Sequence, residues 1–143
     1  CNHINNITKK VIIFLDIDDV VFIKDRFNET KFNEKLFELF KLVDSDKIFF
    51  LTARNEDKYK HFTFKQLNKY LTVPMENIIF ASPFMGKSTK GYELLNYIIQ
   101  IDNHHIIFVD DLFENIMDVI KSLDILKNQF DVTYITFQYV QNI

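Results

Sequence analysis

The stretch VIIFLDIDDVVF, residues 11–22, joins an apolar strand pattern to a crowd of carboxylates. Its first five residues are apolar without polar alternation, which is typical of a strand buried on both faces of a sheet. Asp16, Asp18 and Asp19 then follow within four residues, and carboxylates this close repel one another. The crowding predicts that a group of positive charge belongs at the end of this strand.

The apolar strand pattern recurs along the chain, and helical patterns lie between its copies. Strands are predicted at residues 11–15, 47–51, 77–81, 105–109 and 131–137, and helices at residues 31–43, 56–71, 90–101 and 112–127. This alternation predicts an α/β fold, a three-layer α/β/α Rossmann-like sandwich around a mainly parallel five-stranded sheet. The last strand alternates polar and apolar residues and is expected at a sheet edge. Residues 17–30 fit neither pattern and are predicted to form a short flap-like hairpin or loop.

Size and composition favour one globular domain over residues 1–143. The net charge of −3 argues against the broad electrostatic grip typical of nucleic-acid-binding proteins. No apolar run reaches the roughly 18 residues of a membrane-spanning helix. Cys1 leaves two interpretations open: a trimmed chain end, which favours the cytoplasm, or the first residue of a mature lipoprotein or secreted form. The compartment therefore stays unknown.

Polar side chains of particular types follow four of the predicted strands. In chain order they are Asp16 and Asp18, then Thr52, then Lys87 and Lys90, then Asp110 and Asp111. Each alone is commonly a turn residue, a helix cap or a solvated charge. Because ligands of open parallel sheets bind outside the carboxyl ends of the strands, we expect these groups to converge. Mg²⁺ takes oxygen ligands and offsets repulsion among acids, so the sequence predicts that Asp16, Asp18 and Asp111 share one such ion beside a phosphate.

These stretches, in this order, resemble the four motifs of the haloacid dehalogenase (HAD) superfamily, whose members are mostly phosphatases and phosphotransferases. FLDIDDVVF resembles the first motif, FFLTAR the second, TKGYELL the third and FVDDLFEN the fourth. The match spans residues 11 to about 120, and its wording is most similar to a little-characterised bacterial branch of the superfamily.

The resemblance implies catalytic roles for the acids of the first motif. Asp16 would attack phosphorus as the nucleophile, form an aspartyl-phosphate and bind Mg²⁺. Asp18 would protonate the leaving alkoxide, later deprotonate the attacking water, and bind Mg²⁺ through its backbone carbonyl. Asp19 is a third acid where the family is permissive, and we interpret it as solvated.

The second and third motifs imply residues that bind the substrate's phosphoryl group and assist catalysis. Thr52 would hold phosphoryl oxygens near a helix start, and Lys90 would neutralise charge on the phosphoryl group and the nucleophile. Lys87 is the alternative third-motif lysine. Lys90 is preferred because Gly91 and an amphipathic run follow it, as in the family.

The fourth motif implies the remaining metal ligands. Asp111 aligns with the metal-binding acid of the family, whereas Asp110 is the second choice or orders a metal-bound water. Asn115 would support this loop. The implied cofactor is Mg²⁺, held by Asp16, Asp18, Asp111 and Asp110.

The intervals between the motifs are too short for the cap domain that many superfamily members carry. The site is therefore predicted to be open and suited to a large or partner-presented phosphorylated substrate. Arg26, Phe22 and Phe27 of the flap are candidates for substrate contact. The alternative is that the two phenylalanines pack on the sheet edge.

The phenylalanine content predicts a self-associating surface. Phe62, Phe64, Phe84 and Phe137 are hard to bury together in so small a protein.

The leading functional hypothesis is a Mg²⁺-dependent phosphomonoester hydrolase. One alternative is a non-catalytic, metal-binding regulatory or interaction domain of the same fold. Another is a phosphatase specific for nucleic-acid ends or for phosphoprotein.

Overall fold

A parallel five-stranded sheet organises the protein. The computed structural model describes residues 10–42, 47–98 and 104–141. In these parts of the chain the strands are β1 (Lys10–Leu15), β2 (Phe22–Lys24), β3 (Thr30–Phe32), β4 (Lys47–Thr52), β5 (Ile78–Phe80), β6 (His104–Asp110) and β7 (Val132–Gln138). The sheet has the order β5-β4-β1-β6-β7, and every pair in it is parallel. The predicted α/β fold is confirmed, and β7 lies at an edge as predicted.

Four described helices connect the strands. They are α1 (Glu34–Phe40), α2 (Glu56–Asn68), α3 (Lys90–Ile98) and α4 (Phe113–Lys127), with a short 3₁₀ turn at Met75–Asn77. Cys1, Val43 and residues 99–101, to which sequence predictions extend, lie outside the described residues. Among the described residues, no helix has the length and apolarity needed to span a membrane.

The first helix begins three residues later than the sequence predicts. Residues 31 and 32 belong to strand β3, and Asn33 caps α1 by accepting a hydrogen bond from the Leu36 amide. The Asn33 side chain also donates to the Val20 carbonyl at 2.8 Å. One buried asparagine thus ends the hairpin and begins the helix, which overrides the apolar spacing that predicted a longer helix.

The two faces of the sheet carry separate apolar cores. Along β1, Ile12 and Phe14 pack with residues of α3 and α4, whereas Ile13 and Leu15 pack with residues of α1 and α2. Successive side chains of a strand point to opposite faces, so an unbroken apolar strand serves both cores. Full burial of each such side chain contributes about 1.5–3 kcal/mol. The three-layer arrangement fixes β1 at the centre of the molecule.

The flap predicted at residues 17–30 is a hairpin formed by β2 and β3. Asp25 closes its turn by accepting hydrogen bonds from the Phe27 and Glu29 amides. At its base Phe22 is only 5% exposed and packs edge-to-face on Phe32. The prediction of a substrate contact is therefore wrong for Phe22, because this ring is buried in the core on the α1 and α2 side of the sheet.

Helices α3 and α4 approach closely beside Gly91. A Cβ at this position would lie 2.4 Å from the Ser122 Oγ and 2.7 Å from the Asp118 carbonyl oxygen. The Asp118 carboxylate accepts a hydrogen bond from the Gly91 amide at 2.8 Å. The first turn of α3 is thereby held against α4, which directs the preceding residue, Lys90, into the protein.

Three of the four phenylalanines considered for self-association are exposed. Phe62, Phe84 and Phe137 are 58%, 69% and 51% exposed, whereas Phe64 packs against the core on the α2 side. Phe84 follows β5 and Phe137 lies near the end of β7, at opposite edges of the sheet. No continuous patch is formed by these two, and self-association stays a prediction.

Candidate active site

The register of the central strands brings two acids together. Leu15 of β1 is level with Val109 of β6, and the Asp16 amide donates to the Val109 carbonyl at 2.9 Å. Asp16 and Asp110 therefore lie side by side at the carboxyl ends of adjacent strands. After β1 the chain proceeds to β4 and β5 on one side, then returns to β6 on the other. This reversal makes the β1/β6 crevice the topological switch point, where ligands of such sheets bind.

A third acid completes the cluster. Asp16, Asp110 and Asp111 each offer a carboxylate oxygen, and these oxygens lie within 4.8 Å of one another. Three oxygen donors of negative charge suit a hard cation such as Mg²⁺, which binds carboxylates and keeps several waters. The donor set thus fits the implied cofactor.

Lys90 is a buried cation that contacts two acids of this cluster. Its side chain is 1% exposed, and its Nζ donates to Asp16 Oδ1 at 2.8 Å and to Asp110 Oδ2 at 2.6 Å. Lys87, the alternative lysine, is exposed and lines a shallow groove with Met117. The structure therefore places Lys90, not Lys87, against the acids.

Asp110 is committed to protein partners through both of its oxygens. While Oδ2 accepts from Lys90, Oδ1 accepts from the Leu112 amide at 3.0 Å and from the Asn115 side-chain amide at 3.2 Å. Asp110 is fully buried, whereas Asp111 is half-buried. This difference favours Asp111 over Asp110 as the direct ligand of an ion, and it gives Asn115 the supporting contact that the resemblance implied.

Burial changes the proton affinity of the acids. Removal from water raises the pKa of Asp16 to about 8, although the Lys90 ammonium opposes the rise and Asp110 adds to it. The pKa of Asp111 is raised mainly by burial and further by the charges of Asp110 and Asp19, while its hydrogen bond with Asp16 lowers it. In the absence of a bound cation, a protonated Asp16 can therefore donate to Asp111.

The carboxylate of Asp18 is directed elsewhere. Asp18 is 60% exposed and forms a bidentate pair with Arg54, whose Nη2 and Nε lie 2.9 Å and 3.1 Å from its two oxygens. The side chain of Asp18 is thus separate from the group formed by Asp16, Asp110 and Asp111. Its proposed metal contact through the backbone carbonyl stays a prediction.

Sequence reasoning gave Arg54 no role. The signal available was its place in FFLTAR, two residues after the second-motif threonine. Nothing in that spacing indicates that its guanidinium reaches back 36 residues to Asp18.

Thr52 ends β4 and is fully buried. Its Oγ1 accepts a hydrogen bond from the Arg54 amide at 3.2 Å, and its hydroxyl proton remains available for donation. The cap of α2 is Asn55, whose side chain accepts from the Lys58 amide, so Thr52 does not serve as a helix cap. Binding of a phosphoryl group by Thr52 stays a prediction.

The tip of the hairpin carries two exposed candidates for substrate contact. Arg26 is exposed, with its guanidinium carbon 4.9 Å from the centre of the Phe27 ring, and Phe27 is 71% exposed. Asp19 is also exposed, in a left-handed conformation with φ of 65°. These placements agree with a solvated Asp19, while the substrate role of Arg26 stays a prediction.

Comparison with known proteins gives a structural likeness alone. No family model matches the chain, and no curated protein matches it in sequence. The HAD domain of the effector protein Lem4 from Legionella pneumophila superposes with a TM-score of 0.53 at 16% identity, covering 93% of this chain and 90% of that one. An inactive mutant of the same domain gives 0.54 at 15% identity, covering 94% and 88%. The chain thus has a HAD-like fold, as the motifs indicated.

Proposed function

We propose that this protein is a Mg²⁺-dependent phosphomonoester hydrolase that works through an aspartyl-phosphate on Asp16. The observation that carries the proposal is the buried contact of Asp16 with Lys90 beside Asp110 and Asp111, at the switch point of the sheet. Two buried acids and a buried lysine beside a half-buried third acid are costly to a structure that does not use them. The HAD-like fold supports the same conclusion.

The residues divide the chemistry between them. Asp16 and Asp111, with Asp110 behind them, would hold Mg²⁺, which when bound supplies positive charge to the acids and the phosphoryl oxygens. An Asp16 oxygen forms a bond to phosphorus as the bond to the leaving oxygen breaks, and Asp18 gives that oxygen its proton. Asp18 then takes a proton from water, whose oxygen displaces Asp16 and releases inorganic phosphate. Lys90 offsets the charge of Asp16 before the attack and the charge of the phosphoryl group after it.

A direct assay tests the activity. We expect turnover of p-nitrophenyl phosphate by the wild-type protein with Mg²⁺, and its loss when a chelator is added. Beryllofluoride with Mg²⁺ should bind as a mimic of the phosphorylated Asp16, detectable by ¹⁹F NMR. Metal uptake without turnover or beryllofluoride binding on any substrate panel would instead support the non-catalytic regulatory domain.

Metal binding should depend on pH in a defined direction. Since Asp16 holds a proton below a pKa of about 8 in the ion-free site, Mg²⁺ must displace that proton to bind. We expect the apparent Mg²⁺ affinity to fall by up to about tenfold per pH unit as pH is lowered from 8 to 6, and to level off above 8. Isothermal titration in two buffers of different ionisation enthalpy would measure both the affinity and the released proton. An affinity that is flat from pH 6 to 8 would contradict the proposed ligand.

The surroundings of the acids favour a large substrate. Between the first and second motifs the described chain contributes the β2–β3 hairpin and α1, and between the second and third it contributes α2, a 3₁₀ turn and β5. None of these elements is large enough to enclose a small molecule. Exposed Arg26 and Phe27 at the hairpin tip could bind a phosphopeptide or an oligonucleotide end, and a substrate panel containing both separates the two classes.

A further inference from the structure

We propose that Arg54 is the positioning residue for Asp18, holding this general acid in the orientation from which it serves the leaving group. The inference rests on the proposed function and assigns a part to Arg54, a charged residue beside the acids to which that function gives no role. Both oxygens of Asp18 meet the guanidinium, at 2.9 Å and 3.1 Å. Such a bidentate pair fixes the plane of the carboxylate as well as its distance.

The guanidinium is itself held rigidly. Its Nη1 donates to Thr63 Oγ1 at 3.0 Å and to Gln66 Oε1 at 2.8 Å, both on α2. The Phe62 ring lies 5.7 Å from the guanidinium carbon, and the Arg54 side chain is only 11% exposed. Its Nε and Nη2 donate to Asp18. The Arg54 side chain therefore forms a rigid connection between α2 and the loop after β1.

The main chain of Arg54 is held as well. Its amide donates to Thr52 Oγ1 at 3.2 Å, and its carbonyl accepts from the Ser82 hydroxyl at 3.3 Å. Arg54 is thus held at the carboxyl ends of β4 and β5, the same end of the sheet at which Asp16 lies. Through these contacts Arg54 fixes the position of the Asp18 carboxylate relative to the sheet, in addition to the support from its own loop.

Asp18 needs such support because its own surroundings do not fix it. It is 60% exposed and is followed by Asp19 in a left-handed conformation, within a loop outside the sheet. A solvated aspartate on a loop samples several rotamers, and a general acid loses efficiency when its geometry is not held. A carboxylate has about four lone-pair sites, and the pair with Arg54 uses two of them, so a free site must carry the proton that Asp18 gives to the leaving group and takes back from the attacking water. Arginine stays protonated in proteins and cannot replace Asp18 in this step.

The experiment compares substrates that differ in their need for a proton. We would measure kcat and KM with Mg²⁺ for p-nitrophenyl phosphate, a good leaving group, and for phenyl phosphate, a poorer one, in Arg54→Ala, Arg54→Lys and Asp18→Asn. For Arg54→Ala we expect kcat to fall by about 10²-fold with phenyl phosphate and by less than about 10-fold with p-nitrophenyl phosphate, at nearly constant KM. Arg54→Lys keeps the charge but loses the fork, and should show the same selectivity with a smaller loss.

Further arms separate positioning from structural damage. The double variant Arg54→Ala/Asp18→Asn should be no slower than Asp18→Asn alone, because Arg54 would act only through Asp18. Guanidinium ion added at millimolar concentration should restore part of the Arg54→Ala rate on phenyl phosphate. Thr63→Val, which removes one support of the guanidinium, provides a milder variant should Arg54→Ala fail to fold.

The outcomes are distinguishable. Equal losses on both substrates, or additive effects in the double variant, would overturn the role of Arg54 while leaving the phosphatase intact. A wild-type protein without turnover on either substrate would remove the proposed function and this inference together.

Discussion

Replacing Lys90 by methionine is expected to lower the free energy of unfolding by about 3–5 kcal/mol at pH 7 in the metal-free protein. The Lys90 ammonium is 1% exposed and contacts Asp16 and Asp110, whose side chains are 8% and 0% exposed. Its removal leaves the fully buried Asp110 without its cation and takes the Nζ donor from Asp16. A loss of this size is a large share of the 5–15 kcal/mol that stabilises a typical domain. Urea denaturation in the presence of a chelator would measure it.

Lys87→Met is the matched control. The same substitution three residues earlier changes an exposed side chain and should alter the stability by no more than about 0.5 kcal/mol. Millimolar Mg²⁺ should restore part of the stability lost in Lys90→Met, because a dication among the acids replaces the missing charge. Equal stability of the two variants would show that the Lys90 contacts carry no energetic weight, and would weaken the assignment of the third motif.

The contrast between Lys87 and Lys90 shows how far the site could be predicted from the sequence. Both lysines were candidates for the third motif, and the choice of Lys90 depended on the Gly91 that follows. The physical reason becomes visible only in three dimensions: Gly91 lets α3 begin against Ser122 of α4, and this contact turns Lys90 inward. A glycine in the sequence can indicate that two helices approach closely, but it does not reveal which helix lies against it.

The sheet was predictable for a different reason. Apolar strands such as residues 11–15 can be recognised from their own short sequences, and the parallel order of the strands follows from their alternation with helices. Once that order is known, Asp16 and Asp110 must share one edge. The location of the acid cluster could therefore be predicted from the sequence. Which acids belong to it could not, because Asp16 and Asp18 lie two residues apart and yet contact different partners, Lys90 and Arg54.

Long-range polar contacts account for most of what was missed. Arg54 pairs with Asp18 across 36 residues, and Asn33 bonds to the Val20 carbonyl across 13. Neither leaves a periodic signal. The same holds for Phe22, whose burial depends on the hairpin folding back so that Phe32 covers it. Apolar periodicity locates elements, but side-chain hydrogen bonds between loops decide where those elements begin and which charges they hold.

Replacing Asp16 by asparagine is expected to reduce turnover by at least about 10³-fold while leaving the protein folded. The amide keeps the shape of the side chain but supplies no anionic oxygen to attack phosphorus. Lys90 retains Asp110 as its partner at 2.6 Å, and asparagine replaces an acid whose charged form burial disfavours, so the metal-free variant should be at least as stable as the wild type. Activity with p-nitrophenyl phosphate and urea denaturation, measured on the same samples, would show this opposite response.

Asp19→Asn is the matched control for the nucleophile. Asp19 is exposed and has φ of 65°, a conformation that asparagine also tolerates, so this variant should keep its fold and its turnover. A large loss in Asp16→Asn beside an unchanged Asp19→Asn would separate the nucleophile from the general effect of charge near the site. Wild-type rates in Asp16→Asn would mean that water attacks phosphorus directly or that another residue does, and the aspartyl-phosphate would have to be abandoned. Stability that falls in Lys90→Met and holds in Asp16→Asn, with activity lost in both, is the pattern expected if the lysine is retained to make a buried nucleophile tolerable.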